Sequence, residues 1–170
     1  GPVGLYALAM AIASGAGMTV SIGAPARRIQ LAQKWGATHT INLDEAKDPR
    51  ERIEMVRKWT GGRGADLVIE AAGPVSAFQE GLDMVRRGGR FLVIGQGSKK
   101  TIDFSPRRVN LDMLEIIGVL SAHVEHFYKA MQFLKNNLHR FSFADMISNR
   151  YPLSQVTTAL EEMEALREIK

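Results

Sequence analysis

The segment Gly1-Pro2-Val3-Gly4, running straight into Leu5-Tyr6-Ala7-Leu8-Ala9-Met10, has the residue types and spacing of a phosphate cradle. It has the form of the last two glycines of a G-x-G-x-x-G turn and the helix that such a turn opens. One glycine lets the backbone approach a pyrophosphate, and the next lets the helix close on a sheet. The helix start then offers free N–H groups and a positive dipole end to the anion. Chemistry of this kind holds and orients a dinucleotide without breaking a bond. A Gly-Pro pair alone could equally belong to any loop, so context has to carry the reading. A strand-like run at Met18–Ile22 supplies it, ending about 20 residues after the turn, where this motif places its ribose-recognising residue.

That position is Gly23, where an Asp or Glu would accept hydrogen bonds from the ribose hydroxyls. Without the carboxylate a 2′-phosphate meets no repulsion, and Arg27 or Arg28 suits phosphate geometry. One reading is a guanidinium paired with the 2′-phosphate of NADP. The alternative has both arginines on the first turns of a surface helix, with Arg28 contacting the ribose of NAD. The expected cofactor is therefore NAD(P).

Further along, Ala71-Ala72-Gly73 and Ile94-Gly95-Gln96 follow the apolar runs Leu67–Glu70 and Phe91–Ile94. Both tripeptides are thus expected at strand carboxyl ends, where open α/β sheets bind ligands. Glu70, closing an apolar run, reads as a buried carboxylate with a structural or ribose-facing role rather than as an acid–base catalyst. His123 and His126 stand three apart at a helix start, a spacing that can share a face and bind a metal given a third ligand. None is near, so they read as surface histidines. Lys99-Lys100 and Arg107-Arg108 read as solvated charge. No catalytic residue and no metal ligand is assigned. The sequence has no cysteine, which excludes a disulfide, a thiolate nucleophile and a Cys-based zinc site within it.

These residues need a frame, and the pattern provides one. Short β-branched runs at Met18–Ile22, Thr38–Leu43, Ala65–Glu70, Arg90–Ile94 and Glu115–Leu120 alternate with helical patterns. The helices are expected at Val3–Ser14 and at about Pro25–Trp35, Asp48–Thr60, Val75–Arg86, Pro106–Leu114, His123–Asn137 and Leu153–Leu166, with Gly36 and Gly88–Gly89 as stops. Pro2, Pro25, Pro49, Pro74, Pro106 and Pro152 fall near helix starts, where a missing N–H costs nothing. Such alternation predicts a doubly wound parallel α/β sheet, a three-layer Rossmann fold, in one domain over residues 1–170. The chain opens on a helix, so the first, central strand of that sheet is expected upstream of Gly1, and the domain is expected to be incomplete at its N-terminus.

Composition narrows the class. With 45% hydrophobic residues, a chain of 170 can bury the core of one domain. The net charge of +4 is spread among acids rather than gathered in a stripe, which argues against nucleic acid. The longest apolar stretch, Val3–Ala13, is too short to span a bilayer and follows no basic segment, so a cytoplasmic protein with no membrane role is expected.

The order and spacing of several motifs together resemble the C-terminal cofactor domain of the medium-chain, zinc-type alcohol dehydrogenases. The residues carrying the resemblance are Gly1-Pro2-Val3-Gly4-Leu5, Ile22-Gly23-Ala24-Pro25-Ala26-Arg27-Arg28 and Leu31-Ala32-Gln33-Lys34-Trp35-Gly36-Ala37-Thr38. The motif Thr60-Gly61-Gly62-Arg63-Gly64-Ala65-Asp66 leads through Leu67–Glu70 into Ala71-Ala72-Gly73, and Arg87-Gly88-Gly89-Arg90 leads through Phe91–Ile94 to Gly95. The resemblance implies that zinc ligands and catalytic residues lie in a separate domain. It also implies that Ala71-Ala72-Gly73 runs beside the adenosine ribose and Ile94-Gly95-Gln96 beside the nicotinamide. Backbone at Leu120-Ser121 would meet the carboxamide, Lys170 would approach the pyrophosphate, and the last strand, near Glu115–Leu120, would form a homo-oligomer contact.

The expected function is cofactor binding for an enzyme that moves hydride between nicotinamide and a small alcohol or carbonyl substrate, with these residues alone inactive. The rivals are a zinc-free quinone or enoyl reductase of the same family and a non-catalytic NAD(P) sensor.

Overall fold

The computed structural model describes residues 1–96 and 99–165. Every strand pairing among them is parallel, as βαβ crossovers require. The elements run in chain order as α1 (Pro2–Ala13), β1 (Val20–Gly23), α2 (Ala26–Lys34), β2 (His39–Asn42), α3 (Pro49–Trp59), β3 (Ala65–Glu70) and α4 (Val75–Met84). They continue as β4 (Val85–Val93), α5 (Arg107–Leu111), β5 (Glu115–Gly118), α6 (Val124–Asn137) and α7 (Val156–Glu164). The expected α/β architecture with parallel strands is present, in two compact units: Gly1–Glu45 with Ser121–Lys170, and Ala46–Leu120.

In the first unit β1 pairs with β2, Val20 opposite His39 through Gly23 opposite Asn42. Just before the strands, Thr19 and Thr38 each donate a backbone N–H to the other's Oγ1, at 3.0 and 3.2 Å, which fixes the register. Leu5, Leu8 and Ala9 recur at the three- and four-residue spacing of one helical face. They bury against Leu31, Ala32 and Trp35, with Phe141 and Met146 completing the core. Trp35 closes α2 and lies 5.6 Å from Phe141 and 5.3 Å from Phe143, ring centre to ring centre. Gly36 then turns the chain with φ +97°, a backbone state that favours glycine.

The second unit carries the order β3-β4-β5. Phe91 of β4 is wholly buried with Leu82, Val85 and Leu114, and meets Phe78 edge-on at 5.0 Å. Helix α4 sits close on the sheet because Gly81 faces that ring: a Cβ there would stand 2.6 Å from Phe91 Cε2. Between α3 and α4, Arg52 donates to both carboxylate oxygens of Glu80, at 2.7 and 2.5 Å, and to the Ala46 carbonyl at 2.6 Å. Both side chains of this ion pair are nearly buried.

Several boundaries differ from the sequence reading. Helix α4 stops at Met84 rather than Arg86, and Gly88–Gly89 is not a helix stop. The strand already begins at Val85 and makes a four-residue excursion: Ala65 pairs with Val85, but Leu67 pairs with Arg90. Gly88 takes φ +66° there, and Gly89 has Val85 Cγ2 at 2.7 Å from where its Cβ would be, so the excursion requires both glycines. Helix α5 ends at Leu111, with Met113 at φ +51° turning Leu114 into the core. Strand β5 stops at Gly118, and residues 153–155 form a 3₁₀ turn ahead of α7. The expected end of that helix at Leu166 lies outside the described residues. Pro2 and Pro49 open their helices, and Pro25, Pro74 and Pro106 cap theirs. No helix among the described residues is long and apolar enough to cross a membrane.

Candidate functional site

In the first unit the site is built at the amino end of α1. Gly1 caps the helix, no side chain bonds to that end, and no acidic residue stands in its first turn. The early N–H groups there keep their positive dipole end without side-chain competition. Arg28, in the first turn of α2, points at the same place: its Nη1 lies 3.8 Å and its Cζ 3.9 Å from where a Cβ on Gly1 would stand. Its Nη1 also donates to the Ala24 carbonyl at 3.2 Å. Burial lowers the Arg28 pKa from its ordinary value, the signature of a cation partly stripped of water. A guanidinium brought to a positive helix end is electrostatically unfavourable alone and favourable with an anion between them. Around Gly4 no atom lies within 4 Å of where a Cβ would stand, so the space is open.

Arg28 is therefore brought to the Gly1-Pro2-Val3-Gly4 segment, a neighbour that the sequence reading left open between Arg27 and Arg28. Arg27, one position earlier in the helix, is exposed. Gly23 ends β1, and its carbonyl accepts from Leu43 N at 3.0 Å. A side chain there would meet only Ile29 Cδ1 at 3.6 Å, an ordinary contact, so space does not demand glycine at this position.

In the second unit the two strand-end tripeptides meet around one carboxylate. Glu70, at the tip of β3, is only 6% exposed. Its Oε1 accepts from Ala72 N at 2.7 Å and Gly73 N at 2.6 Å. Its carbonyl accepts from Ile94 N at 2.9 Å and Gly95 N at 3.1 Å. Gly95 lies so close that a Cβ there would fall 2.5 Å from Gly73 N and closer still to Glu70 Oε2. Gly73 holds φ +96°, so it too needs glycine. Ala71-Ala72-Gly73 and Ile94-Gly95-Gln96 are thus locked as one backbone platform, with Ala72 and Gln96 exposed. The expected structural role of Glu70 is what the geometry gives. The sequence signal was a carboxylate closing an apolar strand ahead of Ala-Ala-Gly; nothing in it named Gly95 as the second contact.

Leu120 is 79% exposed, and Ser121 follows in a left-handed conformation, φ +60°. Lys170 lies outside the described residues. His126 Nδ1 accepts the backbone N–H of His123 at 3.0 Å, so that imidazole closes the start of α6. Among the described residues no group of three or more His, Cys, Asp or Glu converges as metal ligands. The residues here do not fit a zinc site, and no chemical step is assigned to one.

Residues 2–136 match the family model described as zinc-binding dehydrogenase. The chain belongs to the zinc-binding dehydrogenase family. Among relatives within it, 5-exo-hydroxycamphor dehydrogenase of Pseudomonas putida is 37% identical over 97% of this chain and 46% of its own length. Sorbitol dehydrogenase of Bacillus subtilis is 32% identical over 95% of this chain and 44% of its own. The crystal structure of an alcohol dehydrogenase from Thermotoga maritima superposes with a TM-score of 0.89 at 30% identity, over 99% of this chain and 46% of that one. The chain thus spans a little under half the length of these zinc-binding dehydrogenases, and its fold is that of their Rossmann-like cofactor-binding part.

Proposed function

We propose that the chain is the cofactor-holding domain of an oxidoreductase that moves hydride between NAD(P) and a small alcohol or carbonyl substrate. In this reading zinc and the catalytic groups belong to a domain outside these residues. The observation that carries the reading is the Arg28 guanidinium set against Gly1 at the amino end of α1, an arrangement that suits the pyrophosphate and ribose phosphates of a dinucleotide.

The cofactor supplies the hydride donor or acceptor; these residues bind and orient it. Gly1, Pro2, Val3 and Gly4 offer backbone to the pyrophosphate, and Arg28 adds charge. Gly23 leaves room for a 2′-phosphate, which Arg28 or the exposed Arg27 neutralises. Ala71-Ala72-Gly73 runs beside the adenosine ribose. Ile94-Gly95-Gln96 runs beside the nicotinamide, and Leu120-Ser121 meets its carboxamide. The Glu70 brace keeps both tripeptides at fixed height, so orientation costs little on binding.

Equilibrium binding tests the cofactor part of this reading: the 2′-phosphorylated form is expected to bind no more weakly than NADH, and a strong preference for NADH would overturn it. That preference would favour the second reading, in which Arg28, half-buried and tied to Ala24, serves the ribose of NAD. The 170 residues alone are expected to oxidise no alcohol, and measurable turnover by them would contradict a catalytic domain outside. Zinc content of the full-length protein separates the alcohol dehydrogenase reading from a zinc-free reductase. A second copy of the chain is proposed to pair with the outer edge of β5, whose four residues are all exposed.

A further inference from the structure

At the amino end of β3, the end opposite the Glu70 brace, the second unit has a shallow, open cavity of about 360 Å³ lined by the exposed Arg63, Asp66 and Arg87 and the half-buried Arg86. Four residues of strand separate Asp66 from Glu70, roughly 13 Å, so within this unit the cavity and the brace are distinct places. Arg86 is fixed: its Nε donates to Asp66 Oδ1 at 2.5 Å and its Nη1 to the Arg87 carbonyl at 2.7 Å. This contact holds the Asp66 carboxyl below its usual pKa, so it is ionised at neutral pH. Arg63 and Arg87 make no salt bridge among the described residues.

The loops that carry these arginines are locked. Gly64, at φ +94°, would place a Cβ 2.7 Å from the Met84 carbonyl and 3.0 Å from Arg86 N, so the two loops touch backbone to backbone. Gly64 N is bonded to Thr60 Oγ1 at 3.0 Å, and Gly88 N to the Asp112 carbonyl at 2.7 Å. Three guanidiniums are thus gathered on a firm frame against a single carboxylate, which leaves two positive charges facing one cavity.

We propose that this cavity binds the phosphate group of a small phosphorylated molecule. The excess charge matches a phosphate monoester, about −1.5 to −2 near neutral pH, whose three oxygens accept from guanidinium donors. A monocarboxylate brings half that charge.

The test titrates the full chain, isotope-labelled, with methyl phosphate and glycerol 3-phosphate at near-physiological salt, following backbone amides. Saturable shifts at Gly62, Gly64 and Gly88 are expected. In an R63Q/R87Q variant, which alters only exposed side chains, affinity falls by about tenfold or more, the scale of one lost charge-assisted contact. An R28Q variant separates this site from the proposed cofactor cradle and leaves these shifts unchanged. Shifts that rise without saturating, equal affinity in R63Q/R87Q, or loss of these shifts in R28Q would each overturn the proposal.

Discussion

Gly95 and Gly23 are both glycines at strand ends, and the structure gives them opposite tolerances. A methyl group on Gly95 would collide with Glu70 Oε2 and Gly73 N, both held by the brace. Gly95→Ala is therefore expected to cost about 1–3 kcal/mol in urea unfolding, the range for overpacking a closed site. Glu70→Ala leaves two amide donors without their acceptor and is expected to cost on the order of 3 kcal/mol. Glu70→Gln keeps an oxygen at the same place and should cost far less; equal losses in the two variants would refute the brace. Gly23→Asp, by contrast, meets ordinary contact only, so thermal stability should barely change. Its new carboxylate should weaken NADPH relative to NADH by about tenfold or more, as unpaired repulsion of the 2′-phosphate implies.

At the scale of elements, Gly81 of α4 sets two effects against each other. Alanine there gains about 1 kcal/mol of helix propensity. Yet its Cβ would sit 2.6 Å from a Phe91 ring that is fully buried and has no room to retreat. Overpacking of this kind costs about 1–3 kcal/mol, so Gly81→Ala is expected to lower the unfolding free energy, and a gain would show that α4 can lift from the sheet. Arg52→Met leaves Glu80 nearly buried and unpaired, an expected loss of about 3–5 kcal/mol by chemical denaturation, while R52M/E80L should recover most of it. Periodicity made most of these elements legible, because short β-branched apolar runs alternate with helical patterns and prolines mark the helix starts. The early start of β4 was not legible. Arg86, Arg87, Gly88 and Gly89 look like a helix end in sequence, and only the pairing of Arg86 with Asp66 across the strand makes them an excursion of a strand. The Arg52–Glu80 pair was equally hidden, since charged residues 28 apart on two helices carry no periodic signal.

For the whole molecule, the motifs gave the family from residues that sit at strand and helix ends, while roles depend on partners that local spacing does not reveal. The glycine turn was readable as a candidate cradle; that Arg28 rather than Arg27 lies beside Gly1 was not, because adjacent helical positions differ by about 100° in direction. The open edge of β5 leads to a prediction at this scale. Ile117→Lys, which places charge on an exposed edge residue, should shift the full-length protein toward a smaller assembly in light scattering, and an unchanged mass would remove the edge-pairing proposal. The central claim is that a dinucleotide rests its phosphates on the amino end of α1. It is tested most directly by titrating the labelled chain with NADPH and following the amides of Val3 and Gly4, in the original sequence and in Arg28→Gln. Saturable shifts at both residues, weakened in Arg28→Gln, are the predicted result. Absence of shifts at Val3 and Gly4, or binding indifferent to Arg28, would contradict it.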